Sequence, residues 1–265
     1  MLRLWIVSVT VLVSFLSQEA TARAYTTVEM EPHTGEILHD VSAEELIHPA
    51  GLTKIMTLYV VFQALERGEI AMDDIIRISN NAAAEPPVKL GLRTGQRVRL
   101  RHLVHATGVG GSNDAATAIA EALDGSEAAF SQRMNRVANK LGMKRSHWKN
   151  ANGLSETGHL TTAKDIAILV NAHYKNFPRY FDLFSRLKAD VGTRELENTG
   201  IKLLIKLDNV VAAKTGYTQA SGYSGVVMTE HQGRRLITVA FGCHSQRGLL
   251  DKIRELIGGS LLKGR

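Results

Sequence analysis

The chain has 265 residues, of which 44% are hydrophobic and 22% charged, a mixture ordinary for a globular protein and unlike that of a disordered or collagen-like chain. Its formal charge of +6 is spread along the sequence, which suits an anionic polymer only in a general way and gives no reason to expect a nucleic-acid partner. A single cysteine, Cys243, excludes an internal disulfide framework.

In chain order, Arg3 precedes an apolar run from Leu4 to Leu16 that is too short to span a bilayer comfortably, and small residues follow at Ala20, Ala22 and Ala24. This reads as an export signal, 1–24, cleaved after Ala24, which leaves residues 25–265 as one domain outside the cytoplasm, secreted or periplasmic. Tyr25 to Met30 and Glu36 to His39 flank the turn-rich Pro32-His33-Thr34-Gly35, which predicts a hairpin. Leu52, Ile55, Tyr59, Phe62 and Leu65 keep the spacing of one buried helix face.

His102 and His105 are helical neighbours, but no carboxylate-histidine motif surrounds them. They read as solvated or capping residues, as do His33, His39 and His48, and no metal is expected. Gly108-Val109-Gly110-Gly111 lacks the Lys-Ser/Thr ending of a phosphate-binding loop and the third glycine of the dinucleotide fingerprint, so it reads as a flexible turn leading to Asn113. Phe130, Met134, Val137 and Leu141 mark another helix, stopped by Gly142, and Trp148 packs in the same helical lobe. Thr162-x-x-Asp165 is a capping box for a helix carrying Ile166, Leu169 and Val170.

Near the end, Gly225 to Met228 and Leu236 to Phe241 flank Gln232-Gly233 and predict a second hairpin. Its last strand runs into Cys243, a thiol expected to behave as a small buried hydrophobe. Strands therefore gather at both ends with helical patterns between them, which gives an α+β fold: an antiparallel sheet flanked by helices with an inserted helical lobe. The stretch after Gly216 is too short for a further β domain, and no terminal amphipathic anchor is legible.

Four stretches carry the chemistry: His48 to Thr57, Ser112-Asn113-Asp114-Ala115-Ala116, Asn150-Ala151-Asn152-Gly153-Leu154 and Lys214-Thr215-Gly216-Tyr217-Thr218. Leu90-Gly91-Leu92, the segment from His159 to Asp165 and that from Asn198 to Leu204 fall between them. In this order and spacing the chain resembles the D-alanyl-D-alanine carboxypeptidases, the low-molecular-mass penicillin-binding proteins. The first stretch is similar to their Pro-Ala-Ser-x-x-Lys helix start, the second to Ser-x-Asn-Asp-Ala, the third to Asn-x-x-Gly-Leu and the last to Lys-Thr-Gly.

The resemblance implies a β-lactamase/transpeptidase-like fold and a serine acyl-enzyme, without cofactor or metal, that removes D-alanine from peptidoglycan stem peptides. Its catalytic positions fall on Gly51, Lys54, Gly111, Ser112 and Asn113, and its substrate-binding positions on Lys214, Thr215, Gly216 and Tyr217. On a helix, residues three apart share a face, so Lys54 stands beside position 51 as a base would. Position 51, however, is glycine where the family has its nucleophilic serine. Anchored on Asn113-Asp114-Ala115, the second motif also has glycine, Gly111, in its serine position.

A rival register gives Ser112 the serine role and replaces the asparagine by Asp114. Thr53 is no easy substitute nucleophile, because neighbouring helix residues point about 100° apart. A β-lactamase on the same fold would need serine at 51 and a Glu-x-x-Leu-Asn segment, and neither is present.

Two function classes follow. One is a binding or regulatory pseudoenzyme that keeps Lys214 and Thr215 for a D-Ala-D-Ala carboxylate or a β-lactam, and the backbone N–H groups of Gly51 and Tyr217 for an oxyanion. The other is an active carboxypeptidase using a substitute, either Ser112 or a water held in the space vacated at 51 and activated by Lys54. A protein partner is not legible.

Overall fold

The computed structural model describes residues 25–263. The expected export segment, 1–24, lies outside the described residues. The strands are β1 Thr26–Met30, β2 Ile37–Val41, β3 Ile75–Arg77, β4 Arg97–Arg99, β5 Lys188–Asp190, β6 Glu195–Glu197, β7 Val210–Thr218, β8 Gly222–His231 and β9 Arg234–Cys243. The helices are α1 Thr53–Glu66, α2 Asn80–Ala84, α3 Leu100–Gly108, α4 Asn113–Asp124, α5 Glu127–Leu141, α6 Ala163–Asn176, α7 Pro178–Phe181, α8 Ile201–Lys206 and α9 Gln246–Lys263.

Both expected hairpins form and join in one antiparallel sheet of order β2-β1-β9-β8-β7, in which β1 pairs with β9 from Thr26↔Phe241 to Met30↔Ile237. Gln232 and Gly233, both at positive φ, make the two-residue turn between β8 and β9 that matches strand twist. Successive residues of these strands point to opposite faces, and both faces are covered. Val226, Met228, Ile237, Val239 and Phe241 pack with the main helical core, while Val227, Ala240 and Cys243 pack with Leu249, Leu250 and Ile253 of α9. That double burial explains the apolar run through β9. Cys243 ends that strand fully buried, and burial pushes its thiol up to about 11.

The helical lobe is built around α1. The periodicity predicts a helix with one buried face, but Thr53 to Phe62 are all buried, because α3, α4, α5 and α6 surround α1. Its buried threonines are consequently hydrogen-bonded: Thr57 donates to the carbonyl of Ala151 at 2.6 Å, and Thr53 pairs with His159 at 3.0 Å. α5 begins at the Ser126 cap and ends at Gly142, φ +79°. Trp148 is fully buried in this lobe.

The capping box at α6 is half made. Thr162 accepts from the N–H of Asp165, but the Asp165 carboxylate turns away to the N–H of Arg145 and the hydroxyl of Ser146. α9 was not legible in the hairpin-centred reading, although Leu249, Leu250, Ile253, Leu256 and Ile257 carry a helical apolar spacing and are buried. Among the described residues no helix is long and apolar enough to cross a membrane.

Candidate active-site cleft

A cleft of about 450 Å³ opens where α1, the loop before α4, the 150–154 turn, the segment before α8 and β7 meet. Gly51, Lys54, Gly111, Asn113, Lys214, Thr215, Gly216 and Tyr217 all line it. Ser112 does not. It is buried, its N–H donates to the carbonyl of Ala106 at 3.0 Å, and Asn113 takes the place facing the cleft. Gly111 and Asn113 line the cleft, and Ser112 and Asp114 do not.

Lys54 comes from the first turn of α1 and is buried, with no carboxylate in ion-pair range among the described residues. Its Nζ donates to Asn113 Oδ1 at 2.8 Å and to the carbonyl of Asn152 at 2.5 Å. Burial first, and the charge of Lys214 second, push its pKa down to about 7. Asn113 is held from its other end by donating to the carbonyl of Pro86 at 3.0 Å. Asp114, next in sequence, accepts the N–H groups of Leu90, Gly91 and Leu92 at 2.8–3.0 Å, which ties the Leu90-Gly91-Leu92 stretch to α4.

The 150–154 turn was legible as a motif but not as a source of site atoms. Asn150 closes it by accepting from Gly153 and donating to Leu154, and Asn152 turns its side chain to Thr117 and Leu154 while its carbonyl takes Lys54. Gly153 sits at φ +88°, and a Cβ there would overlap the carbonyl of Ala50. Ala50 itself has φ +49°, a left-handed conformation costly for a non-glycine residue. The turn thus presses on the backbone just before Gly51. Behind it, His159 accepts from the N–H of Lys149 through Nδ1 at 3.1 Å, so its Nε2–H donates to Thr53; burial pushes its pKa down to about 3 and keeps the ring neutral.

The opposite wall is β7. Lys214 is buried, its pKa lowered to about 8 by burial, and its Nζ donates to Thr199 Oγ1 at 3.0 Å. Thr215 donates its hydroxyl to the carbonyl of Thr199 at 2.9 Å. Thr199, inside the 198–204 stretch, is the site residue the motif reading overlooked; a polar residue beside the motif asparagine Asn198 was the available signal.

Gly51 lies in a short 3-10 turn, Ala50–Leu52, that leads into α1. A Cβ on Gly51 would stand 2.8 Å from the carbonyl oxygen of Thr215 and 3.0 Å from Gly216 Cα, while a Cβ on Gly216 would overlap the Gly51 amide nitrogen. A side chain at 51 would therefore require the strand to shift, while Gly51 and Lys54 still line the open cleft. Gly111, φ +68°, has Thr199 and Lys214 Nζ beside it in the same way. The preceding glycines are packed rather than flexible, since a Cβ at Gly108 or Gly110 would run into the side chains of Leu183 or Leu196.

His102 and His105 do not converge on a metal site. The His102 ring lies against Gly192, and His105 Nδ1 pairs with the carbonyl of Asp190 at 2.8 Å.

Residues 14–245 match the family model described as D-alanyl-D-alanine carboxypeptidase. The chain is 30% identical over 244 residues to D-alanyl-D-alanine carboxypeptidase DacF of Bacillus subtilis, covering 91% of this chain and 63% of that one. It is 32% identical over 251 residues to D-alanyl-D-alanine carboxypeptidase DacD of Escherichia coli, covering 92% and 65%. It thus spans just under two thirds of the length of these relatives. Among solved structures, D-alanyl-D-alanine carboxypeptidase DacD from Francisella tularensis superposes with a TM-score of 0.84 at 26% identity, over 96% of this chain and 74% of that one.

Proposed function

The chain belongs to the D-alanyl-D-alanine carboxypeptidase family and has its penicillin-binding, β-lactamase-like fold, and on that premise we propose that it is a nucleophile-deficient member that binds the D-Ala-D-Ala end of peptidoglycan stem peptides without cleaving it. The observation that carries this reading is the backbone contact at Gly51: the nucleophile's side chain is absent and the carbonyl of Thr215 stands 2.8 Å from where its Cβ would be. Loss of the nucleophile from a serine hydrolase lowers turnover roughly a millionfold.

The remaining groups suit recognition. A peptide carboxylate entering the cleft takes Lys214 and Thr215 over from Thr199, exchanging a neutral acceptor for a charged one, and bonds of that kind are the stronger. In this reading the N–H groups of Gly51 and Tyr217, both residues of the cleft lining, receive the oxygen of the terminal peptide carbonyl. Lys54 keeps Asn113 and the 150–154 turn in position and has no hydroxyl to deprotonate. A β-lactam enters the same cleft and leaves unmodified. The export signal, the single domain from 25 to 265 and a site of action outside the cytoplasm, at the wall, belong to the same proposal. A carboxypeptidase working through Ser112 is disfavoured by the burial of that residue away from the cleft.

The test combines calorimetric titration with a diacetyl-lysyl-D-Ala-D-Ala peptide, an assay of released D-alanine, and the intact mass after incubation with excess penicillin. Stoichiometric binding with no D-alanine and no mass increase is expected, and Lys214→Ala is expected to weaken that binding about 10- to 100-fold, the worth of one hydrogen bond to a charged group. A stable penicillin adduct, or release of D-alanine at an ordinary enzymatic rate, overturns the reading.

A further inference from the structure

A few of the positive charges that look diffuse along the sequence are brought together by the fold. β3 and β4 form a separate two-stranded antiparallel sheet that buries Ile76 and Val98 and turns Ile75, Arg77, Arg97 and Arg99 outward. Arg77 and Arg97 are directly opposite each other in the ladder, an arrangement of like charges that weakens a strand pair. β4 and the loop before it wall a groove of about 760 Å³, closed on its other side by the turn at Val191, Gly192 and Thr193. Gly192, φ +84°, packs directly on the His102 ring, so the two sides are in contact at the groove's floor.

Arg93, Arg97 and Arg99 open into this groove. Among the described residues the carboxylate that reaches these guanidinium groups is Asp73, 3.2 Å from Arg99 and also paired with Arg101. The guanidinium groups of Arg77, Arg93 and Arg97 have no hydrogen-bond or ion-pair partner there, and Arg194 on the facing turn donates to the carbonyl of Leu90 rather than to an acid. Asp190, close by, spends Oδ1 on the N–H of Gly192.

We infer that this groove binds a linear polyanion through successive phosphate groups. A guanidinium presents a planar fork that matches phosphate bidentately and stays charged at any accessible pH. Arg97 and Arg99, two residues apart on one strand, are spaced by about 7 Å, so each can take its own phosphate along a chain. Phosphate bound at Arg97 also eases the repulsion between Arg77 and Arg97, which no ion pair among the described residues relieves. The groove is lined by residues separate from those of the cleft, so the inference does not rest on the carboxypeptidase reading.

The test is binding of inorganic polyphosphate to the purified protein, followed by calorimetry at about 50 and 200 mM salt. Engagement of about three phosphates gives an affinity loss of roughly 20-fold across that range, since each contact contributes about 0.7 to the logarithmic salt slope. The variant Arg77→Gln/Arg93→Gln/Arg97→Gln is expected to bind at least tenfold more weakly with a flattened slope and an unlowered melting temperature, because the substituted side chains are exposed. The charge-matched variant Arg136→Gln/Lys140→Gln/Lys144→Gln, on the α5 side, is expected to bind as the unmodified protein does. Equal losses in both variants, or none in the first, overturn the inference. So do equally tight, arginine-dependent binding of polyglutamate, which removes the phosphate, or of phosphatidylglycerol vesicles, which moves the site to a membrane surface.

Discussion

The two walls of the cleft have been treated differently. On the α1 side, Lys54, Asn113, Asn152 and Thr117 form a buried hydrogen-bonded network with the Thr53–His159 pair behind it, and none of these side chains has a buried polar atom without a partner. On the β7 side, the contact at Gly51 is backbone against backbone, with no side chain between. The network persists because removing any member strands the others in a place water does not reach, a cost paid in stability whether or not the site reacts. At position 51 there is no side chain to hold, and the strand backbone lies directly against the glycine.

The sharpest way to break this comparison is Gly153→Ala, which puts a Cβ onto the Ala50 carbonyl at a positive φ. A loss of about 3 kcal/mol or more, or failure to fold, is expected in urea titrations, since neither backbone has room to yield. Near-neutral behaviour would mean that the turn does not press on the Gly51 backbone. Lys54→Met keeps the volume but strands Asn113 Oδ1 and the Asn152 carbonyl, and is expected to cost about 2–3 kcal/mol.

Gly51→Ser is expected to cost about 1–3 kcal/mol, as overpacking does, and to lower the melting temperature by several degrees without restoring D-alanine release at the family's rate. Full turnover at an unchanged melting temperature would show that the β7 wall has not closed. The lysines supply a pH signature of smaller size. Both have folded pKa values, about 7 for Lys54 and about 8 for Lys214, below the unfolded 10.5. Between those values and 10.5 the unfolded chain holds protons that the folded chain has released, so stability rises with pH across that window and is lost as pH falls through 8 and then 7. The gain between pH 7 and 9.5 is expected to be smaller in Lys54→Met than in the unmodified chain, measured as urea midpoints. The smallest effect is Ser112→Ala, under about 1 kcal/mol and with peptide binding unchanged; loss of binding would return Ser112 to the site.

Much of the architecture was legible in the sequence. The two hairpins, α1, α5 with its glycine stop, and the Thr162 cap rest on periodicity and turn residues a few positions apart, and the chain reproduces them. The family resemblance implied that Lys54, Asn113 and Lys214 share one site, and all three line the same cleft. β3 to β6 and α8 are only three to six residues long, which leaves no period to read, and α9 was passed over although its spacing was there.

What the sequence by itself determined is thus which side chains the site has and which it lacks: glycine at 51 and 111, lysine at 54 and 214. Only the tertiary structure decided that the strand packs against the Gly51 backbone, that Thr199 holds both Lys214 and Thr215, that Ser112 is buried outside the cleft, and that Arg93, Arg97 and Arg99 line one groove. Local signals come from neighbours along the chain, whose geometry the backbone itself dictates. Contacts between residues far apart in sequence depend on how the sheet and the helical lobe pack, and no short stretch encodes that distance.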